Sequence, residues 1–200
     1  LEQERGEVPI GVVNREPEPP LGPQSAPQAS QPPARLRVAR PAVEKAKLLA
    51  SDGAAFDRFG GSVAISGDTV VIGAVADDDN GTASGSAYVF VEPDGGWATM
   101  TATAKLTASD AAAGDYFGVS VSISGDTAIV GAHADDDGGD DSGSAYVLRY
   151  EGTAWVEEAK LLASDGEAGD RFGRSVSVDN DAVVIGADTI VVRENRIYGK

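Results

Sequence analysis

Two short acidic segments have a composition that suits cation binding. The first is Asp77-Asp78-Asp79-Asn80-Gly81, and the second runs from Asp135 to Asp141 with two glycines inside it. Hard cations such as Ca²⁺ take carboxylate and amide oxygens as ligands, and glycine lets the backbone turn tightly around the ion. The sequence therefore offers one candidate metal site per segment, with these ligands: Asp77, Asp79, Asn80, Asp135, Asp137 and Asp140.

Two interpretations of these segments stay open. Residues 82–87 contain no carboxylate that would close a calcium loop, so backbone carbonyls and water would have to complete the shell. A solvated acidic turn, in which Asp and Asn bond to their own backbone, needs no ion. Calcium is thus a candidate cofactor here, with the solvated turn as its alternative.

A second set of aspartates lies in pairs, five residues apart, before three Phe-Gly dipeptides. The pairs are Asp52/Asp57, Asp110/Asp115 and Asp165/Asp170. All three copies carry the pair, which favours a role in the geometry of a repeated unit over a ligand site. We expect these residues to cap turns or to meet an acidic loop.

Catalysis has few candidate residues. The chain has no cysteine, and His133 is its single histidine, so the common nucleophile–base pairs have almost no members. Paired carboxylates could serve glycoside hydrolysis, but these pairs recur in each copy, whereas an active site is usually unique. We expect no enzyme activity, and a domain acting on polysaccharide is the alternative.

These residues belong to three near-copies of one stretch, at Lys47–Val91, Lys105–Leu148 and Lys160–Ala187. Each copy predicts an alternating strand, a short Gly/Asp turn, a continuous apolar strand covered on both faces, and a third strand such as Ser86–Val91. A fourth strand starts near Trp97 or Trp155 and ends in Lys-Leu. Four strands without a helical pattern predict one blade of a β-propeller.

The aromatic residues of the copies are expected to pack. Phe59, Phe117 and Phe172 stand at the same place in the three copies, which favours core packing between blades. Packing is also favoured over ligand contact for Trp97 and Trp155.

The dipeptides identify a family resemblance. Phe59-Gly60, Phe117-Gly118 and Phe172-Gly173 precede the first strand, and Gly73-Ala74, Gly131-Ala132 and Gly186-Ala187 end the second. With the flanking SVAISGD and VVIGA blocks, they resemble FG-GAP repeats, the propeller blades of integrin α-subunit heads and of many bacterial surface or secreted proteins. Over about residues 44–187, the resemblance implies an all-β propeller fold. It also implies a non-enzymatic binding, scaffold or adhesion module located outside the cell or at its surface.

The sequence departs from the family pattern in two ways. Val75, His133 and Asp188 stand where the family has proline. Ser-Gly-Asp occupies the place of the integrin-type metal loop, and six ligand oxygens cannot come from so short a turn. The resemblance therefore does not carry the family's calcium site over to this chain.

Composition divides the chain in two. Residues 1–40 hold eight of the ten prolines, which predicts a disordered linker or tail. Residues 41–200 form the repeat region, with units at about 44–104, 105–159 and a truncated 160–200. The net charge of −16 argues against nucleic acid and anionic membranes as partners. No apolar run reaches the roughly 20 residues of a membrane span.

Two full units and a truncated third are too few to close an ordinary propeller, which needs about four to eight blades. The chain is expected to be part of a longer array, or to self-associate and thereby complete a propeller. A truncated fragment without independent function is the remaining alternative.

Overall fold

A computed structural model describes residues 44–180, 182–187 and 191–194, the last four as backbone only. The proline-rich segment 1–40, and Asp188 at the family's proline position, lie outside the described residues.

Two four-stranded antiparallel sheets form the centre of the molecule, and we call them blades one and two. Blade one contains β2 (Phe59–Ser66), β3 (Thr69–Ala74), β4 (Ser86–Val91) and β6 (Ala104–Leu106), in that order. Blade two contains β7 (Phe117–Ser124), β8 (Thr127–Ala132), β9 (Ser144–Tyr150) and β10 (Trp155–Leu161). Each copy of the repeat therefore folds into one blade, as the four-strand pattern predicts.

Blade three has three described strands: β11 (Ser175–Asp179), β12 (Ala182–Gly186) and β13 (Val191–Glu194). The third of these strands, β13, pairs with β12 in antiparallel register. A separate two-stranded sheet joins β1 (Leu48–Leu49) to β5 (Met100–Thr101) in parallel. In copy one, two short strands, β5 and β6, take the place of the predicted fourth strand. In copy two, the equivalent strand β10 is continuous and contains one bulge.

Hairpin turns connect the first two strands of every blade, and each turn has one residue at positive φ. These residues are Gly67, Gly125 and Asn180, with φ of 59°, 55° and 51°. Glycine and asparagine tolerate this region far better than other residues, which explains their place in the sequence. The turns fix the register so that Phe59 lies opposite Ala74 and Phe117 opposite Ala132.

The blades stack face to face, and the core consists of the layers between them. Between blades one and two lies a cluster that includes Val71, Val89, Phe117, Val121 and Ile123. A second cluster, with Ile129, Val147, Phe172 and Val178, lies between blades two and three. A third covers the other face of blade one, where Leu48 of β1 packs near Ile72, Tyr88 and Phe90.

Burial confirms most of the packing predictions. Phe117, Phe172 and Trp97 are buried, while Phe59 and Trp155 are half-buried against apolar clusters. The second strand is buried on both faces in blades one and two, but β12 alternates between buried and exposed residues. Full burial was the wrong prediction for β12, because no described blade covers its outer face. In the described part of the chain, no helix is long and apolar enough to cross a membrane.

Candidate functional site

A lysine side chain lies at the centre of the first acidic segment. The Nζ atom of Lys105 is 2.8 Å from Asp52, 3.0 Å from Asp77 and 2.5 Å from Asp79. The Tyr88 hydroxyl lies 2.7 Å from Asp52 Oδ1 and 2.9 Å from Asp77 Oδ2. The ammonium group also lies 5.2 Å from the centroid of the Tyr88 ring. We call this set of five residues the blade-one cluster.

Blade two repeats the arrangement with equivalent residues. Lys160 Nζ lies 2.7 Å from Asp110, 2.7 Å from Asp135 and 2.6 Å from Asp137. The Tyr146 hydroxyl is within hydrogen-bond distance of Asp110 and Asp135. In both clusters one carboxylate is nearly inaccessible, with 5% of the Asp77 side chain and 4% of the Asp135 side chain exposed. A buried carboxylate needs a compensating charge, and the lysine provides it.

The electrostatics of blade one follow from this geometry. Burial raises the pKa of Asp52, but hydrogen bonds from Lys105 and Tyr88 outweigh burial and lower it overall. Burial lowers the pKa of Lys105, and its hydrogen bonds to Asp52, Asp79 and Asp77 more than reverse this, so the pKa is raised. Burial, together with hydrogen bonds to Asp52 and Asp77, raises the pKa of Tyr88. The cluster is therefore an ion pair network with a neutral tyrosine at neutral pH.

In the structure, four of the six predicted metal ligands form salt bridges with lysines. Asp77 and Asp79 bind one ammonium group, and Asp135 and Asp137 bind the other. Asn80 and Asp140 lie farther along the loops with exposed side chains. The backbone N–H of Asn80 donates to Ser84 Oγ, and the backbone carbonyl of Asp140 accepts from the N–H of Gly169. Across the described residues, no group of three or more His, Cys, Asp or Glu side chains is arranged to hold a metal ion.

The donor set does not fit a calcium ion while the lysine is present. A divalent cation at the centre of either cluster would lie against an ammonium group of like charge, and the carboxylate oxygens already accept from that group. Calcium binding at these loops stays a prediction, and it now requires the cation to displace a lysine.

The acidic loops also join neighbouring blades through their backbone. After Asp77, the carbonyls of Thr82, Ala83 and Ser84 accept hydrogen bonds from Gly114, Tyr116 and Phe117 at the entrance to blade two. In the next copy, the equivalent carbonyls accept from Gly169, Arg171 and Phe172 at the entrance to blade three. Each lysine thus fixes a loop on which the following blade docks.

The second set of aspartates divides into two roles, both structural, as the repetition predicts. Asp52 and Asp110 bind the cluster lysines. The later members of the pairs cap turns, since the carboxylate accepts a backbone N–H three residues earlier at distances of 2.6 to 2.7 Å in Asp57, Asp115 and Asp170. Burial is the main cause that raises the pKa of Asp57 and Asp115.

His133 lies apart from both clusters. Its ring centroid is 5.4 Å from that of Tyr116, and its Nδ1 atom is buried without a hydrogen-bond partner. Burial lowers the pKa of His133, and the charges of Arg171 and Arg174 add to this effect while Asp141 opposes it. No nucleophile within the described residues donates to this ring, so the geometry gives His133 no triad-like arrangement.

A cleft of about 620 Å³ opens between blades one and two. Tyr150 and Trp155 line it, and their ring centroids are 5.6 Å apart. Asp68, Asp126 and Thr103 also line the cleft, and both aspartates are exposed. Neither carboxylate takes part in a salt bridge within the described chain, in contrast to the two clusters.

Comparison with known families agrees with this repeated geometry. A family model described as FG-GAP repeat matches residues 42–90, 100–148 and 155–192, which together make up more than half of the chain. The chain belongs to the FG-GAP repeat family. None of the curated proteins matches it.

The FG-GAP dipeptides of neighbouring copies interlock. A Cβ atom added at Gly73 would overlap the carbonyl oxygen of Gly118, and one added at Gly131 would overlap that of Gly173. The carbonyl of Gly118 also accepts a hydrogen bond of 2.7 Å from Ser62. The Gly-Ala dipeptide of one FG-GAP copy therefore needs glycine because the Phe-Gly dipeptide of the next copy approaches it so closely.

Sequence reasoning missed Lys105 and Lys160 as the partners of the acidic loops. A signal was present, because the first lysine of the next FG-GAP copy follows each Asp-rich segment, with Lys105 28 residues after Asp77 and Lys160 25 residues after Asp135. Opposite charges at repeated positions of neighbouring copies indicate such a contact.

Proposed function

We propose that this chain is a non-enzymatic binding or scaffold module of the adhesion type, and that the cleft between blades one and two is its ligand surface. One observation carries the proposal: the cleft combines an exposed Tyr150 and a half-buried Trp155 with two carboxylates that lack a salt-bridge partner among the described residues. Lys105 also lines the cleft, but its charge, like that of Lys160, is neutralised by the carboxylates of its own cluster. A binding surface needs polar groups that remain available to a partner.

The chemistry of the cleft favours a basic peptide segment as ligand. Asp68 and Asp126 supply negative charge, and Tyr150 and Trp155 offer ring faces to which arginine or lysine side chains bind. The net charge of −16 would attract a basic partner over longer distances. Location outside the cell or at its surface is part of the same proposal and is supported by membership of the FG-GAP family.

The non-enzymatic part is supported by the repetition of the charged groups. The blade-one cluster and its blade-two equivalent have the same residues, contacts and burial, as expected of structural elements. His133 and the C-terminal basic residues break the repeat, and the His133 ring lies beside Tyr116 with a nitrogen that has no hydrogen-bond partner among the described residues.

A titration tests the proposal. An arginine-rich octapeptide is added to the protein at low salt, and binding is measured by calorimetry. We expect the double variant Asp68→Asn, Asp126→Asn and the single variant Trp155→Leu each to weaken binding at least tenfold. The matched control, Asp78→Asn with Asp94→Asn, has the same net charge as the double variant but leaves the cleft intact.

Two further probes separate the alternatives. A glutamate-rich octapeptide should not bind, and a neutral hexasaccharide should neither bind in the cleft nor be cleaved. Equal weakening by the cleft variant and by its charge-matched control would refute the cleft as ligand surface. Cleavage of the hexasaccharide would instead support the enzyme alternative.

A further inference from the structure

The first blade presents an apolar surface that its equivalents bury. Val63 and Ile65 of β2 are 55% and 62% exposed. At the same positions of the repeat, Val121 and Ile123 are 9% and 7% exposed, and Val178 is 8% exposed. The difference comes from the preceding blade, which covers β7 and β11 but has no described counterpart in front of β2. Blade one therefore has the surface of an inner blade without its neighbour.

The last blade presents the complementary surface. On the face of β11 and β12 that points away from blade two lie Ser177 and Val184, which are exposed, the latter by 37%. Their equivalents in blade two, Ser122 and Ile129, lie against blade three, where Ser122 Oγ accepts a hydrogen bond of 3.0 Å from the N–H of Val178. Blade three thus has the surface that covers the next blade, and nothing described occupies it.

The glycine contacts extend the same pattern. Gly73 and Gly131 pack against the Phe-Gly dipeptide of the following blade so closely that no Cβ atom fits. At the equivalent Gly186 of blade three, the nearest atom to an added Cβ is Ser175 Cβ at 3.3 Å, within its own blade. None of the described residues fills the space beside Gly186 that a following Phe-Gly dipeptide would take.

The strand edges match as well. β1 stands at the fourth-strand position of the repeat, and on one edge the carbonyls of Lys47 and Leu49 accept hydrogen bonds from the N–H groups of Met100 and Ala102. Successive backbone groups leave a strand on opposite edges, so those of Leu48 point to the other edge. Blade three has three described strands and ends in β13, where blades one and two have a fourth strand. The free edge of β1 in one copy is therefore placed to pair with β13 of another copy.

We propose that two copies of this chain associate head to tail. Blade three of one copy covers Val63 and Ile65 of the second copy, and β1 of the second copy adds to β13 of the first. A second copy is the occupant because the contact would repeat two interfaces that this fold already contains. These are the interfaces between blades one and two and between blades two and three. Head-to-tail contacts close into a ring when the rotation permits, and two copies would supply six blades, within the usual range of propellers.

Mass measurement tests the association. The chain of 20.4 kDa is analysed at about 100 µM by size-exclusion chromatography with light scattering, in about 0.5 M NaCl to screen the charge of −16 on each copy. We expect twice the chain mass. The double variant Val63→Ser with Ile65→Ser should raise the dissociation constant at least tenfold, because it makes the contact polar. The single variant Gly186→Ala should have an effect of the same size, because its Cβ atom obstructs the contact.

Controls keep the test independent of folding. Val63, Ile65 and Gly186 lie at open surfaces of a single chain, so circular dichroism of the variants should match that of the unaltered protein. Val156→Ser removes a valine of β10 that is 42% exposed and lies outside the contact, and it should leave the mass unchanged. A monomeric unaltered chain at this concentration overturns the proposal, and so does an oligomer that neither contact variant disperses.

Cross-linking distinguishes this contact from any other oligomer. The chain has no native cysteine, so Ser177→Cys with Ile65→Cys introduces the only pair. Blade two separates the two positions within one chain, and they come together only across the proposed contact. Oxidation should give disulfide-linked chains from the double variant, while each single variant should give none; linkage by a single variant contradicts the proposed pairing.

Discussion

The ammonium nitrogen of Lys105 lies 3.0 Å from a carboxylate oxygen of Asp77, whose side chain is 5% exposed. This contact joins the outer strand of blade one to the loop on which blade two docks. Asp52, which lies before the first strand of blade one, binds the same nitrogen at 2.8 Å. One lysine therefore connects three separate segments of the chain, and its equivalent Lys160 does the same one blade later.

Replacing Lys105 by methionine should destabilise the protein by about 2–4 kcal/mol. The change keeps the aliphatic packing but leaves Asp77 buried without a counter-charge, which is strongly destabilising. The exposure of Asp52 and Asp79 places the effect below that of a fully buried pair. Urea unfolding measures it. Lys45→Met, at an exposed lysine, is the control and should change stability by less than about 0.5 kcal/mol.

A second substitution separates charge from packing. Adding Asp77→Asn to Lys105→Met removes the unpaired charge, so part of the lost stability should return. If the double variant is less stable than Lys105→Met alone by the full cost of Asp77→Asn in the unaltered protein, the two residues do not interact. The proposed role of the lysine would then be wrong.

Calcium should stabilise the protein only where the carboxylates of a cluster are not paired with a lysine. In the unaltered protein, 10 mM calcium and a chelator should give the same unfolding midpoint, because Lys105 and Lys160 occupy the carboxylates. Lys105→Ser opens the blade-one cluster, and calcium binding with a Kd near 0.1 mM would stabilise this variant by ~2.7 kcal/mol at that concentration. Lys45→Ser should show no response. A calcium-dependent midpoint in the unaltered protein would instead support the original calcium prediction.

Glycine at the end of the second strand should matter only where a blade follows within the same chain. Gly131→Ala places a Cβ atom against the backbone of Gly173 and should cost about 3 kcal/mol, the upper end for overpacking. Gly186→Ala is the matched control, and in the single chain it should cost less than about 1 kcal/mol. Thermal unfolding of both variants at low protein concentration provides the comparison. Similar losses in the two would show that the requirement for glycine does not come from the neighbouring blade.

His133 should make stability depend on pH near its ordinary pKa of 6.5. Burial, with Arg171 and Arg174, lowers the folded-state pKa, so the unfolded chain binds the proton more readily. Stability therefore rises with pH through about 6.5 and is lost below it. His133→Val introduces the residue that blade one has at Val75 and should flatten this part of the profile. An unchanged slope between pH 5 and 7 in the variant would assign the effect to other groups.

Much of the fold was predictable because its determinants are local and repeated. Period-two alternation placed β7, turn residues placed the hairpins, and the Phe-Gly and Gly-Ala dipeptides gave the family. Positive φ at Asn180 followed from its place in the sequence, since asparagine tolerates what the turn requires. Three copies of each signal made these predictions secure where a single copy would have been ambiguous.

The roles of the acidic residues were not predictable in the same way, because charge composition does not say which cation neutralises it. From the local sequence alone, Asp77 and Asp79 are candidate calcium ligands. Lys105 lies 26 residues beyond Asp79 in the chain, and only the pairing of β4 with β6 brings its ammonium group to the loop. Burial of Asp77 then makes that pairing energetically necessary.

The sequence by itself determined the strands, the turns, the number of blades and the family. Tertiary structure decided which faces of the blades are buried, because the burial of a side chain depends on the neighbouring blade and not on the residue type. Val63 and Val121 stand at the same position of the repeat, yet one is 55% exposed and the other 9%. Stacking covers the second and leaves the first open, since a blade buries its apolar face only when another blade lies against it.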